Sequence, residues 1–515
     1  MTEEPMVETS MPGTGQTTAT PLVERMDSYR SIREEIERAV LPLATSLDGR
    51  SFHFQASLHG LILKRGGYVT LEAEGVSRLG QITDLGMGRQ TAAGESMPGT
   101  GGGVLIRFAE GEGVVLDSDG APFHDASVRG ARPDEVGAWL SRRRQPQRAA
   151  LTVGELLLAP GIPATLDSGG LNRHTFMCGQ SGSGKTYSLG LLLERVLAET
   201  TLRVVILDPN SDYVGLSQVR DGADPALAAR YADIVDGISV WRDAPDSDHP
   251  LRLRFADLEP AVQAAVLGLD PVLDRDEYGV LNDLLRLQHD GRPLITSVEQ
   301  LLEAETPGAR DLGRRAANLG ILDWSLWSPV LPSLVREIRE PTSRCTVVDI
   351  GSLATVQEQR VVAAAVLSTL WSTRLSRSAC LVVVDEAHNI CPADPPDAMT
   401  RISTDRAVQM AAEGRKYGLY LLTSTQRPHK VHENVVSQCD NLMLMRMNSE
   451  ADLDDLSRLF SFVPRGLMAG ARSFSMGEAL VAGKLVPQAA YVRMGERVSQ
   501  EGGADVPVTW ASPRP

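Results

Sequence analysis

The sequence predicts an α/β fold built on a parallel sheet, with a small β-barrel or sandwich ahead of it, and three observations carry that prediction. From about residue 150 onward, short apolar runs alternate with helical patterns, the sign of strands joined by crossover helices. Between about 50 and 130 the pattern is a succession of short β-type runs broken by glycine-rich turns. At Gly179–Thr186 a glycine-rich loop stands directly between the apolar run Phe176 to Cys178 and the helical run Leu189 to Leu197.

Composition narrows the class. The 515 residues are 42% hydrophobic and 23% charged, an ordinary globular balance that excludes a disordered or fibrous chain. The 51 basic and 66 acidic residues leave a net charge of −15, which argues against a protein that coats nucleic acid with its whole surface but leaves a local basic channel open. Lysines occur only at Lys64, Lys185, Lys416, Lys430 and Lys484, so arginine supplies nearly all the positive charge. Five scattered cysteines form no C-x-x-C pair, which suits a reducing compartment, packing roles and no structural zinc. No apolar run reaches the ~18 residues a membrane span needs, and the N-terminus lacks a secretory pattern, so a cytoplasmic protein is expected.

Along the chain, residues 1–22 are rich in Thr, Pro, Gly and Glu and are expected to be a disordered tail. Met26, Tyr29, Ile32, Ile36 and Val40 recur at helical spacing and predict a helix over 23–45, with Pro42 closing the apolar pattern. Residues 46–140 predict a small barrel or sandwich, from the runs Phe52 to Phe54, Tyr68 to Leu71, Gln81 to Thr83, Val104 to Phe108 and Val114 to Leu116, with a turn at Asp119-Gly120. The α/β core is expected over 150–211 and 345–495. Between them, 212–344 reads as a mostly helical insertion, with helical patterns at Pro260 to Leu269, Glu277 to Leu287 and Ser297 to Glu305. Residues 496–515 read as a C-terminal tail. The hexapeptide Ser-Met-Pro-Gly-Thr-Gly stands at both 10–15 and 96–101, two copies too far apart to make a repeat architecture.

The loop Gly179-Gln180-Ser181-Gly182-Ser183-Gly184-Lys185-Thr186 fits G-x-x-x-x-G-K-[ST] at every defined position. Its glycines let backbone N–H groups and a helix N-terminus face a β-phosphate, Lys185 reaches the β/γ oxygens, and Thr186 is placed to hold Mg²⁺. Gly179, Ser181, Gly182, Ser183, Gly184, Lys185, Thr186 and Tyr187 are the expected ATP-binding residues. Hydrolysis also needs acids at a strand end. Leu381 to Val384 followed by Asp385-Glu386 supplies them, with Asp385 as the second Mg²⁺ residue and Glu386 polarising water. One strand later, Leu419 to Thr423 leads to Ser424-Thr425-Gln426-Arg427, where Gln426, and less strongly Thr425, is expected to sense the γ-phosphate. His388 reads as a supporting or packing residue, since no other His or Cys stands at ligand spacing.

In these motifs the sequence resembles the HerA branch of the HerA/FtsK group of hexameric, RecA-like DNA-pumping ATPases. The residues that carry the resemblance are Arg173-His174, Leu207-Asp208-Pro209-Asn210-Ser211-Asp212-Tyr213, Asp385-Glu386-Ala387-His388, Glu413-Gly414-Arg415-Lys416-Tyr417-Gly418 running on to Thr425-Gln426-Arg427-Pro428, and the late Gly477-Glu478-Ala479. The segment around Leu79-Gly80-Gln81-Ile82 is similar to that family's small β-barrel, and 212–344 corresponds to its helical insertion. At Asn210-Ser211 the family's usual acidic/His turn is replaced, which leaves the parts of Asp208 and Asp212 open.

The resemblance implies a RecA-like P-loop ATPase core, a homohexamer with ATP sites between subunits, and DNA threaded through a central pore. It also implies an arginine reaching the site from a neighbouring subunit, with Arg173 and Arg415 as the two candidates; Lys416 stays open between nucleotide, DNA and solvent. The expected activity is an ATP-driven translocase or helicase working with a partner nuclease or other effector. Two alternatives stand beside it: a nucleotide-gated scaffold ring that regulates a bound effector in antiphage defence, and a conjugative secretion ATPase, which usually serves a membrane machine.

Overall fold

A computed structural model describes residues 20–92, 104–289, 302–303, 305, 307–321, 324–328 and 333–503. Most of the expected N-terminal tail, both copies of the hexapeptide, most of the helical pattern at 297–305 and residues 504–515 lie outside the described residues. The chain divides into two compact units, Met1–Gly130 and Ala131–Pro515.

The first unit opens with helix α1 (Thr20–Ala39), followed by strands β1 (Leu43–Ser46), β2 (Ser51–Ala56), β3 (Tyr68–Ala73), β4 (Val76–Ala92), β5 (Val104–Val115) and β6 (Phe123–Gly130). These close into a barrel of order β1-β2-β5-β4-β3-β6, every pairing antiparallel. Strict alternation of buried and exposed residues along β2 sends Phe52 and Phe54 inward to meet Val69, Leu71, Ile82, Phe123 and Val128. The helix starts earlier and stops sooner than 23–45, because past Pro42 the chain pairs with β2 and β6 as a strand. The barrel accordingly runs from Leu43 to Gly130, and residues 133–143 form a helix of the second unit instead. The runs at Val104 and Val114 are one strand, because Gly111 and Gly113 keep the pairing unbroken while leaving room for the Phe54 and Phe52 rings packed above them.

The second unit begins with α2 (Pro133–Arg143). Its strands are β7 (Ala150–Leu156), β8 (Pro163–Asp167), β9 (His174–Cys178), β10 (Arg203–Asp208), β11 (Ile238–Arg242), β12 (His249–Pro250), β13 (Cys345–Asp349), β14 (Cys380–Val384), β15 (Leu419–Thr425), β16 (Cys439–Met445), β17 (Glu478–Gly483) and β18 (Ala490–Met494). They form one 12-stranded sheet of order β12-β11-β13-β10-β14-β15-β9-β16-β17-β18-β7-β8. The run from β12 to β16 is parallel, and β17, β18, β7 and β8 add on antiparallel. Buried runs such as Cys-Leu-Val-Val-Val in β14 are what a parallel sheet covered on both faces requires.

Within 212–344 the structure departs from the expected insertion. Ile238–Arg242 pairs along β13 and continues the main sheet, so the stretch is part of the core as well as helical. Its helices include Pro225–Val235, Pro260–Val266, Arg275–His289, Pro307–Asn318 and Leu334–Arg339. Residues 496–503 also depart from a tail: Gln500 N donates to Gln218 O at 2.8 Å, Arg220 N to Val498 O at 2.9 Å and Gly502 N to Asp212 O at 3.1 Å. This strap lies over α3 (Lys185–Glu199), where Arg497 and Glu194, both fully buried, stand 3.5 Å apart.

Candidate nucleotide site

The parallel register builds the site. Leu207, Val384, Thr423 and Phe176 stand opposite one another across β10, β14, β15 and β9, so the next residues on each strand reach the same carboxyl edge of the sheet. That edge collects Asp208, Asp385, Glu386, Ser424, Thr425 and the loop from Gly179. Ligands of open α/β sheets bind at this edge.

The loop turns on Gly182 (φ 70°) and Gly184 (φ 85°), left-handed positions that glycine takes without cost. It is held from outside by Arg446 Nη2 donating to Gly182 O at 3.0 Å and by Gly477 N donating to Ser183 O at 2.9 Å. The second contact explains why Gly477-Glu478-Ala479, so late in the chain, belongs with the loop. Lys185 opens α3 and Thr186 follows in its first turn. Tyr187 faces elsewhere: its hydroxyl accepts from Arg497 N at 2.7 Å, so it anchors the strap instead of reaching for nucleotide.

Lys185 Nζ donates to Asp385 Oδ1 at 2.9 Å and Ser424 Oγ at 3.0 Å, and lies 3.1 Å from Glu386 Oε1. Burial alone would lower its pKa, but Asp385 and Glu386 raise it, so it stays charged. Gln426 Nε2 donates to Glu386 Oε1 at 3.0 Å, while His388 Nδ1 lies 3.2 Å from Glu386 Oε2 and 3.0 Å from Thr425 Oγ1. Burial pushes the Glu386 carboxyl up, but His388, Lys185 and Gln426 outweigh it and bring it down to about 2. Glu386 takes a left-handed backbone, φ 42°, strain that persists only where surrounding contacts fix it.

Sequence reasoning missed Tyr213 and Ser424. Tyr213, fully buried, donates from its hydroxyl to Asp385 Oδ2 at 3.3 Å. The parts of Asp208 and Asp212 now separate. Asp208 caps the turn, accepting from the backbone N–H groups of Asn210, Asp212 and Tyr213. Asp212 faces the carboxylates, and burial, then the charge of Asp385, pushes it up to about 6.

The residues present fit a nucleotide triphosphate and its metal. Ser183 Oγ is buried with no hydrogen-bond partner among the described residues, and Lys185 is a charged donor engaged only by protein oxygens. No group of three or more His, Cys, Asp or Glu among the described residues could hold a metal alone, as expected for Mg²⁺, which takes one or two protein ligands plus phosphate oxygens and water.

Arg173 and Arg415 lie at the other edge. Arg173 precedes β9 and Arg415 precedes β15, at the amino ends of strands whose carboxyl ends carry the loop and Gln426. Five strand residues separate Arg173 from Gly179, roughly 16 Å at about 3.3 Å per residue. The two arginines meet there at Asp440, 3.4 Å from Arg173 Nη1 and 3.7 Å from Arg415 Nη1.

The sequence model described as "Helicase HerA, central domain" matches residues 151–369. The "DNA double-strand break repair helicase HerA" of Saccharolobus solfataricus is 22% identical over 460 residues, 84% of this chain and 88% of its own. Its counterpart of the same description in Pyrococcus furiosus is 22% identical over 417 residues, 67% of this chain and 69% of its own. Over these stretches the chain is similar to the HerA family. The HerA model match takes in the phosphate loop and the Asp208–Tyr213 turn, whereas Asp385, Glu386 and Gln426 lie past its end and are brought to the loop by the sheet. Among solved structures, VirB4 of Thermoanaerobacter pseudethanolicus is similar over 68% of this chain and 97% of its own, at 18% identity and a TM-score of 0.44. No helix among the described residues is long and apolar enough to cross a membrane.

Proposed function

We propose that the chain is an ATP-driven DNA translocase of the HerA type, a hexameric ring that hydrolyses ATP between adjacent copies and works with a partner nuclease or defence effector. One observation carries the shared site: Arg173 and Arg415 stand at the sheet edge remote from their own phosphate loop. That distance from their own loop supports a part at a neighbouring copy's nucleotide rather than at the one bound by their own chain. The DNA substrate is inferred from the similarity to the HerA relatives and from what their names describe.

The roles follow from the site. Lys185 leaves its carboxylate partners for the β/γ-phosphates, which carry more negative charge and accept its three N–H donors. Glu386, ionised at neutral pH, then orients and polarises the attacking water, and Gln426, bonded to Glu386, links that carboxylate to the γ-phosphate position. Thr186 and Asp385 would hold Mg²⁺, which would supply neutralisation of the phosphate charge. Arg173 and Arg415 from the adjacent copy stabilise the charge on the transferred phosphoryl group.

Measuring mass in solution with and without ATP, ATP turnover with and without duplex DNA, and strand displacement tests this reading. A ring with DNA-stimulated turnover and displacement is expected. A ring whose turnover ignores DNA, and whose ATP state instead switches a bound effector, would replace the motor with a nucleotide-gated scaffold.

A further inference from the structure

We propose that Asp440 is a positioning residue that holds Arg173 and Arg415 side by side as a two-guanidinium clamp for phosphate on an adjacent copy. This deepens the reading above and rests on it.

The clamp is a product of sheet order. β15, β9 and β16 are neighbours and parallel, so residues at their amino ends come together although they lie far apart in sequence. Arg173, Arg415 and Asp440 come one from each. Both guanidinium groups approach the same atom, Asp440 Oδ2. Two positive groups so close repel, and a single carboxylate oxygen between them offsets that repulsion. Each arginine has five N–H donors, so the contact with Asp440 leaves most of them free. The three side chains are 32%, 44% and 44% exposed, open to an incoming anion.

The supports of the two arginines are rigid. Arg173 N donates to Gly170 O at 3.1 Å, ending the turn Ser168–Asn172. Arg415 sits in the turn Gly414–Tyr417, where Arg374 lies over both the Tyr417 ring (5.5 Å) and the Trp371 ring (4.5 Å). His174 Nδ1 accepts from Leu421 N at 2.9 Å; burial, then Arg415, pushes its pKa down to about 4, so the neighbouring ring adds no third positive charge at neutral pH. An exposed ion pair of this kind is worth little to stability. Its value lies in orientation: one carboxylate fixes the spacing of two bidentate donors, the geometry that phosphate recognition uses.

The test uses the full chain as Asp440→Asn and Asp440→Glu, alone and mixed with Lys185→Ala subunits. The Asn variant keeps the side-chain shape at an exposed position and retains ATP affinity, because the chain's own loop is intact. Its kcat falls roughly 10- to 100-fold, the range seen when an orienting partner is lost, with KM for ATP changed little, and Asp440→Glu recovers part of the loss. Mixing Asp440→Asn with Lys185→Ala subunits restores turnover above that of either alone, since each supplies what the other lacks. Wild-type kcat in Asp440→Asn overturns the proposal. So does simple dilution on mixing, provided that Arg173→Ala or Arg415→Ala subunits do regain activity with Lys185→Ala. If the arginine mixtures also only dilute, the shared site itself falls, and the clamp with it.

Discussion

Lys185 satisfies three protein oxygens at once, and the nucleotide must outcompete all of them. Removing the ammonium removes the reason for phosphate to settle there, so Lys185→Ala is expected to lose ATP binding and turnover together, read by calorimetry and phosphate release. Glu386→Gln keeps the size of the side chain but lacks the charge that polarises water. It is expected to bind ATP and fail to hydrolyse it; wild-type turnover would move the base elsewhere. Asp212 gives a pH signature. Its folded value is about 6 against an ordinary 3.8, so the folded chain holds this carboxylate unfavourably ionised above pH 6 and takes up a proton as the pH falls through 6. In the nucleotide-free protein, Asp212→Asn is therefore expected to melt above the wild type at pH 8, with the gap closing between pH 6 and 4. A gap independent of pH would remove the electrostatic explanation.

The strap over α3 is held by a buried ion pair, with Glu194 also accepting from the N–H groups of Val498 and Ser499. Breaking one side of such a pair leaves the other charge stranded in the core. Arg497→Ala is expected to cost roughly 3–5 kcal/mol in denaturant unfolding, and pairing it with Glu194→Gln, which removes the stranded charge but keeps an acceptor for Val498 and Ser499, should recover part of that. A methyl on Gly190 would overlap the Arg497 guanidinium, so Gly190→Ala is expected to destabilise the chain even though alanine is the better helix former. None of this was legible beforehand. Gly-Glu-Arg-Val-Ser-Gln has no periodicity, and its partner is some 300 residues away. The phosphate loop and Asp385-Glu386 were legible because each is contiguous and flanked by its own strand. Tyr213, Ser424 and Asp440 were not, because their roles depend on which strands become neighbours, and β15 enters between β9 and β14 only in the folded sheet. The sheet strand at Ile238–Arg242 was likewise hidden, a five-residue run among helical patterns.

At the scale of the whole molecule, each of the two units has a core of its own: Phe52, Phe54, Leu71 and Ile82 in the barrel, and the sheet residues with their covering helices in the second unit. The nucleotide-site residues named above all lie in the second unit. A chain beginning at Ala131 is expected to fold and bind ATP while losing stable association with its partner and assembling into rings more weakly, measured by sedimentation and pull-down. An intact ring that still captures the partner would move docking to another part of the chain. The strap also bears on how the protein is made. Glu194 is synthesised 304 residues before Val498, an interval of roughly 15 to 60 seconds at ~5–20 residues per second. Until then its carboxylate has neither the arginine nor the backbone donors that let it leave water. The helix that begins at Lys185 is therefore expected to reach its final packing only after residues 497–499 have been made. The loop and helix of the ATP site are thus translated well before the residues that complete their packing.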